Sequence, residues 1–214
     1  MKQRFEYGQT EIDHLTAADP ALGAAIRQIG PVEREVIPDV FVSLVDSIVS
    51  QLISNKAAEA IWKRLIAHFG ELTPETLAAA SPEQLRACGT TTKKAEAIVE
   101  IARKIVAGEL RIDQLQTMSD EEVVTYLMAL KGVGRWTAEM VLIFSLARPN
   151  VVSWGDVAIR RGVMKLHGLD SLTREQFDEL TGLYAPYGTV ASLYLWAIAH
   201  LPEEQCQFKK EGAS

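Results

Sequence analysis

The sequence predicts an all-α fold, and three observations carry that prediction. Apolar residues recur at helical spacing, as in Val40, Leu44 and Ile48 or Ala95, Ile98, Val99, Ala102 and Ile105, the period of one buried helix face. Helix start signals are dense: Ser81-Pro82-Glu83-Gln84, Ser119-Asp120-Glu121-Glu122 and Thr173-Arg174-Glu175-Gln176 all fit the reciprocal cap, in which a hydroxyl and a Glu or Gln side chain each satisfy a backbone N–H. Strand signals are weak, since no long stretch alternates cleanly and no Asn-Gly or Asp-Gly turn occurs.

The elements follow in order. Pro20–Gln28 is a short amphipathic helix stopped by Gly30-Pro31, and Pro38 opens Asp39–Ser50. Ser54 caps Asn55–Phe69, which Gly70 ends, and Thr73-Pro74 starts Glu75–Ala80. Thr92–Val106 carries one apolar stripe before Gly108. The second reciprocal cap leads into Val123–Leu130, and Trp136–Ala147 follows a glycine turn. Val157–Lys165, Phe177–Tyr184 and Val190–Leu201 complete the set, and Lys209–Ser214 reads as a frayed tail. Short loops between helices imply antiparallel neighbours packed on shared apolar faces.

Composition bounds the chemistry. The 214 residues are 48% hydrophobic and 23% charged, ordinary for a globular protein. No apolar run is long enough to cross a bilayer, and Met1–Tyr7 has no apolar stretch behind its charges, so neither a membrane span nor a signal peptide is expected. A cytoplasmic protein is the expectation, nucleoid-associated if bacterial. Two cysteines and four scattered histidines offer no disulfide framework, four-cysteine cluster or zinc site, so no cofactor is required. The net charge of −6 argues against nucleic acid as a partner, because phosphate binding needs Lys and Arg. Basic residues do recur locally, at Lys93-Lys94, Lys131, Arg135, Arg160-Arg161 and Lys165, and a local basic surface can coexist with acidic net charge.

The most informative segment is Leu130-Lys131-Gly132-Val133-Gly134-Arg135-Trp136-Thr137-Ala138. Two glycines in a four-residue turn allow left-handed dihedrals and close approach of a foreign backbone. The N–H groups opening the next helix form an anion site, and Lys131 and Arg135 add positive charge on either side. A DNA phosphate fits this chemistry; a plain tight helix connection is the simpler alternative. Asp156 lies 22 residues beyond Gly134, where a loop becomes a helix. It can act as an N-cap and still project a second oxygen into a cleft.

Leu130–Arg135 resembles the helix–hairpin–helix motif, usually L-P-G-V/I-G, with Lys131 in place of proline. With Asp156 it resembles the helix–hairpin–helix DNA glycosylase superfamily, and in detail its alkylbase branch, the 3-methyladenine DNA glycosylase II type. Ser47–Ala58, Leu85–Ile98 and Pro186–Ala191 with Leu195-Trp196 resemble further segments of that family, so the similarity spans roughly residues 40 to 200. The chain departs from the pattern at Gly155, often a second Asp, and at Gly188, usually Arg. The family's Pro ahead of the catalytic Asp is missing as well, and there is no room for an N-terminal β-domain.

The resemblance implies two helical subdomains, residues 40–130 and residues 1–39 plus 131–214, with an active-site cleft between them and added helices before residue 40. It implies a monomer that binds double-stranded DNA containing damaged bases, and a flipped nucleotide. Lys131, Gly132, Val133, Gly134, Arg135 and Thr137 would hold the DNA. Leu52, with Gln51, would fill the vacated stack, ordinary core packing being the alternative for Leu52. Trp136 and Trp196, then Tyr187 and Trp154, would wall the base pocket, where aromatic faces favour a cationic alkylated base; Trp196 has a core alternative. Asp156 would stabilise the oxocarbenium-like sugar and orient water. Lyase-capable relatives carry a lysine where this chain has Trp136, so hydrolysis without strand cleavage is expected. The carbonyls of Met128, Leu130 and Val133 would hold a monovalent cation, sodium or potassium. Alternatives are a glycosylase for uracil, mismatched or oxidised bases, and a non-catalytic DNA-binding module.

Overall fold

A computed structural model describes residues 3–206 and 208, so the expected tail Lys209–Ser214 lies outside the described residues. In chain order the helices are α1 (Gln9–Ala18), α2 (Pro20–Ile29), α3 (Val40–Ser50), α4 (Asn55–Phe69), α5 (Pro74–Ala79), α6 (Pro82–Ala87), α7 (Thr92–Val106), α8 (Asp120–Met128), α9 (Arg135–Phe144), α10 (Val157–His167), α11 (Arg174–Gly182) and α12 (Gly188–His200). Short 3₁₀ turns occupy Ile112–Thr117 and Glu203–Gln205. The described residues contain no strand; one isolated antiparallel bridge pairs Arg4 with Glu35. No helix among them is long and apolar enough to cross a membrane.

The caps explain why boundaries follow the sequence so closely. Ser54 accepts from Ala57 N and opens α4, and Thr91 accepts from Lys94 N and opens α7. The reciprocal caps of α8 and α11 are formed in both directions, while at α6 the Ser81 N–H donates to Gln84 Oε1 at 2.8 Å and the hydroxyl makes no cap bond. Helix α1 is the element the pattern did not show. Its N-cap is Gly8, which has no side chain to signal a start, and it fully buries one apolar residue, Leu15.

The chain forms two compact units. One comprises residues 37–146 and contains α3 to α9; the other contains α1, α2 and α10 to α12. The sequence placed the division at 130/131, but α9 belongs with residues 37–146. A tight turn lays α9 back against α8, and it also packs on α3. Ile37 N donates to the Phe144 carbonyl at 2.6 Å and Ser145 Oγ to the Pro38 carbonyl at 3.2 Å, which ties both ends of this unit together.

In the other unit, α10 packs most extensively on α12. Ile159 and Val163 meet Leu195 and Ile198 in a core where all four are fully buried, each worth about 1.5–3 kcal/mol of apolar burial. The approach is close because of Gly162: a Cβ there would lie 2.2 Å from the Leu195 carbonyl oxygen. Glycine at 162 therefore sets the distance between the helix that begins at Asp156 and the helix that carries Trp196.

Candidate active site and DNA-binding turn

Asp156 is the N-cap of α10. Its Oδ1 accepts the Ile159 backbone N–H at 2.9 Å and the Trp196 Nε1–H at 3.2 Å, and the residue is 9% exposed. One carboxylate oxygen thus both caps the helix and accepts the indole N–H. The loop before it is fastened to the first turns of α12. Thr189 N donates to the Pro149 carbonyl at 2.9 Å, Thr189 Oγ1 donates to the Arg148 carbonyl at 2.6 Å, and the Val151 N–H donates back to Thr189 Oγ1 at 3.0 Å. Ser192 Oγ donates to the Val151 carbonyl at 2.8 Å, and Gly188 N to Asn150 Oδ1 at 3.1 Å. Gly188 also explains its own departure from the family pattern, since a Cβ there would lie 2.8 Å from Asn150 Oδ1 and 2.9 Å from Val152 Cγ2.

Of the aromatic residues expected at the base pocket, the structure joins Trp196 to Asp156. The Arg34 guanidinium lies 5.5 Å from the Trp196 ring centroid. Trp154 is half-buried, with Arg160 at 4.8 Å, Arg174 at 5.6 Å and the Phe177 ring edge-on at 5.1 Å. Tyr187 contacts His14 edge-to-face at 5.2 Å. A cavity of about 760 Å³ in the same unit, walled by Phe5, Tyr7, Ile26 and Tyr194, involves none of the expected site residues.

The hairpin lies in the unit of residues 37–146, between α8 and α9. Its two glycines are there for different reasons. Gly132 has φ 82°, and a Cβ on it would lie 2.8 Å from the Ala97 Cβ, so the fold requires glycine. Gly134, the N-cap of α9, has φ −102°, and a Cβ there would meet nothing within 4 Å. What glycine leaves at 134 is open backbone at a helix N-terminus that no side chain caps, the arrangement that receives an anion. Val133 is buried, its N–H donating to the Leu130 carbonyl at 3.2 Å. Lys131 pairs with Glu96 at 3.2 Å, while Arg135 pairs with Glu121 at 2.7 Å and Glu139 at 3.4 Å. Trp136 is half-buried in the first turn of α9.

Thr137 and Gln51, expected at the DNA, are turned toward each other. Gln51 Nε2 donates to Thr137 Oγ1 and to the Gly132 carbonyl, both at 2.9 Å, and Thr137 is buried. Leu52 is the opposite case. Its side chain is fully exposed, at 104% of the reference area, and its φ is 55°. A leucine in the left-handed region costs roughly 1–2 kcal/mol, and an exposed isobutyl group returns none of it through burial. A residue that the sequence reading left without a role holds this turn: Lys94 Nζ donates to the carbonyls of Val49 at 2.8 Å and Gln51 at 2.6 Å. Burial holds the Lys94 ammonium below the ordinary lysine range. The signal was present in Lys94-Ala95 of the family-like segment, but the partners are backbone carbonyls, which side-chain identities do not reveal.

Comparison with known proteins agrees with this geometry. The profile of the HhH-GPD superfamily of base excision DNA repair proteins matches residues 45–186. DNA-3-methyladenine glycosylase 1 of Schizosaccharomyces pombe is 31% identical over 198 residues, covering 89% of this chain and 87% of that protein. Among solved structures, a DNA-3-methyladenine glycosidase from Bacillus halodurans aligns with a TM-score of 0.79 at 36% identity, covering 95% of each chain. A 3-methyladenine DNA glycosylase of the same fission yeast, solved with abasic DNA, aligns at 0.83 and 29% identity, covering 91% of this chain and 98% of the other. With Asp156 at the head of α10 and the glycine turn at the head of α9, the chain belongs to the HhH-GPD superfamily of base excision DNA repair glycosylases, in its alkylbase, 3-methyladenine branch.

Proposed function

We propose that the protein hydrolyses the N-glycosidic bond of alkylated purines, of the 3-methyladenine and 7-methylguanine type, in duplex DNA, acting as a monomer and without strand cleavage. The observation that carries this reading is the Asp156 carboxylate, held by the Ile159 N–H and aimed by the Trp196 indole. A carboxylate so fixed can stabilise positive charge developing on the sugar and orient the attacking water. Alkylated purines are cationic and leave readily, so a single carboxylate is sufficient. Gly132 and Gly134 would present backbone N–H groups to a phosphate, Val133 would hold the turn from inside through its own N–H on the Leu130 carbonyl, and Lys131 and Arg135 would exchange their carboxylate partners for it. Leu52 would occupy the space of the extruded nucleotide, and its unreturned strain and exposure support that role. Trp136 and Trp196 would wall the pocket, and Trp136 at the position of the lyase lysine supports hydrolysis alone.

A monovalent cation, sodium or potassium, would sit against the carbonyls of Met128, Leu130 and Val133. The fit rests on three neutral oxygens, of which Leu130 accepts one hydrogen bond and has a second lone pair. Such an ion would add positive charge where a phosphate docks.

One observation favours a second substrate reading. Arg34 already lies near the Trp196 face, and a cationic base stacked on that ring would share it with a like charge; a neutral lesion would not. Duplexes carrying 3-methyladenine, 7-methylguanine, uracil, a thymine mismatch or an oxidised purine, incubated with the enzyme and assayed for abasic sites, separate the readings. Release of alkylpurines is expected; release confined to another base redirects the substrate, and release of none favours a binding module. Borohydride trapping of an enzyme–DNA adduct would overturn the expectation of hydrolysis alone.

A further inference from the structure

We propose that Lys94 is a positioning residue that, with Gln51, locks the Leu52 turn to the hairpin, so that the wedge and the backbone grip act as one rigid body. The inference rests on the reading of Leu52 as the wedge. Four hydrogen bonds carry it. Lys94 Nζ donates to the Val49 and Gln51 carbonyls, which belong to the orphan acceptors at the C-terminus of α3, so the ammonium sits at the negative end of that helix's dipole. Gln51, one residue before Leu52, donates through Nε2 to the Gly132 carbonyl and to Thr137 Oγ1. The residue that precedes the wedge is therefore held from both sides, its carbonyl by α7 and its side chain by the hairpin and α9.

A wedge must resist the stack it enters. Leu52 has no side-chain packing to stiffen it, since it is fully exposed, and its left-handed backbone would relax if its neighbours released it. The rigidity has to come through the main chain, and Lys94 and Gln51 supply it at adjacent positions. The same carbonyl of Gly132 that Gln51 holds belongs to the turn expected to meet a phosphate, so a force on the wedge is borne by the anchored turn.

The test compares Leu52→Ala, Lys94→Met, Gln51→Leu and the Lys94→Met/Leu52→Ala double variant on two duplexes. Both carry the alkylated purine that the wild type releases; in one it faces its normal partner, in the other an abasic analogue, where no pair has to be opened. The readout is the ratio of single-turnover excision rates, paired over unpaired. Leu52→Ala is expected to lower that ratio about tenfold or more, because only the paired base needs help leaving the stack. Lys94→Met and Gln51→Leu should reproduce most of that drop, and the double variant should add little to Leu52→Ala. If Leu52→Ala lowers the ratio while Lys94→Met and Gln51→Leu leave it at the wild-type value, or slow both substrates equally, the positioning role is wrong and the wedge stands. A wild-type ratio in Leu52→Ala removes the wedge and this inference with it. Gln51→Leu leaves the Lys94 ammonium untouched and tests the same coupling of wedge to hairpin where Lys94→Met does not fold.

Discussion

Replacing Asp156 by Asn and by Ala separates its two duties. Oδ1 accepts two N–H groups, from Ile159 at 2.9 Å and Trp196 at 3.2 Å, at a buried helix N-terminus. Asparagine keeps an acceptor oxygen in that place and caps helices as well as aspartate does. It loses the charge-assisted part of two bonds, roughly 1 kcal/mol in all. Alanine removes the cap, worth about 1 kcal/mol, and leaves the indole N–H without that partner, a further 1–2 kcal/mol or so. For a chain of this size each kcal/mol moves the melting temperature by about 2–4 °C, so Asp156→Asn should melt within a few degrees of wild type and Asp156→Ala roughly 4–12 °C lower.

Activity should not follow that order. Both variants lose the negative charge that would face the sugar, and removing one preorganised electrostatic contact typically costs about 10²–10³ in rate. Thermal melts by circular dichroism and abasic-site formation under single-turnover conditions read the two quantities independently. A stable Asp156→Asn that retains more than about a tenth of wild-type activity would refute the catalytic assignment and leave Asp156 as a cap. Equal destabilisation of both variants would refute the geometry from which the cap is argued.

Three further outcomes follow from the same geometry. Arg135 holds the Glu121 carboxyl below the usual carboxylate range through a direct hydrogen bond; a depressed folded pKa contributes stability above the unfolded value, near pH 4.3 for Glu, and loses it as pH falls through the folded one. The melting difference between wild type and Glu121→Gln should therefore be small and constant at neutral pH and close on acidification, and the variant, with Arg135 left only its longer pair to Glu139, should bind undamaged duplex more tightly with a steeper salt dependence. Gly162→Ala would place a Cβ against the Leu195 backbone and should cost about 1–3 kcal/mol in urea unfolding, with a loss of excision because Asp156 and Trp196 are carried by the two helices it separates. Thr189→Val keeps the shape but leaves the Arg148 carbonyl and Val151 N–H without their hydroxyl partner, for about 2–4 kcal/mol; an unchanged urea midpoint would show that the loop does not depend on it.

The helices were legible because their ends are written in side chains. Ser54 with Gly70 and Thr91 with Gly108 bracket α4 and α7, and the reciprocal caps announce α6, α8 and α11. The glycine turn and Asp156 were legible as chemistry for the same reason, since each needs a particular residue type. What escaped is held by backbone acceptors. Lys94 was counted with the local basic residues, and Thr189 and Ser192 drew no role in the loop, because the carbonyls they bind have no letter in the sequence. The division of the chain escaped for a related reason: whether α9 lies with α3 and α8 depends on how a tight turn directs it, not on its composition.

The loop before Asp156 shows how far a departure from a family pattern can be read. Gly155 stood out as a departure beside Asp156, and Trp154 was expected at the wall of the base pocket. In the structure the Trp154 ring is engaged by Arg160, Arg174 and Phe177, three groups of its own unit. That environment supports an anchor: a bulky residue packed beneath the loop, followed by an exposed glycine that lets the chain turn into α10. The missing proline has its counterpart in Thr189, Ser192 and Asn150, which hold the loop by hydrogen bonds where a ring would have held it by restricting φ. The substrate question therefore moves from Trp154 to Trp196, the indole bonded to the carboxylate, and to Arg34 near its face. Arg34→Gln should raise excision of cationic 7-methylguanine relative to a neutral lesion, since the like charge is removed while the ring remains. An unchanged ratio between the two substrates would show that Arg34 does not act on the base through Trp196.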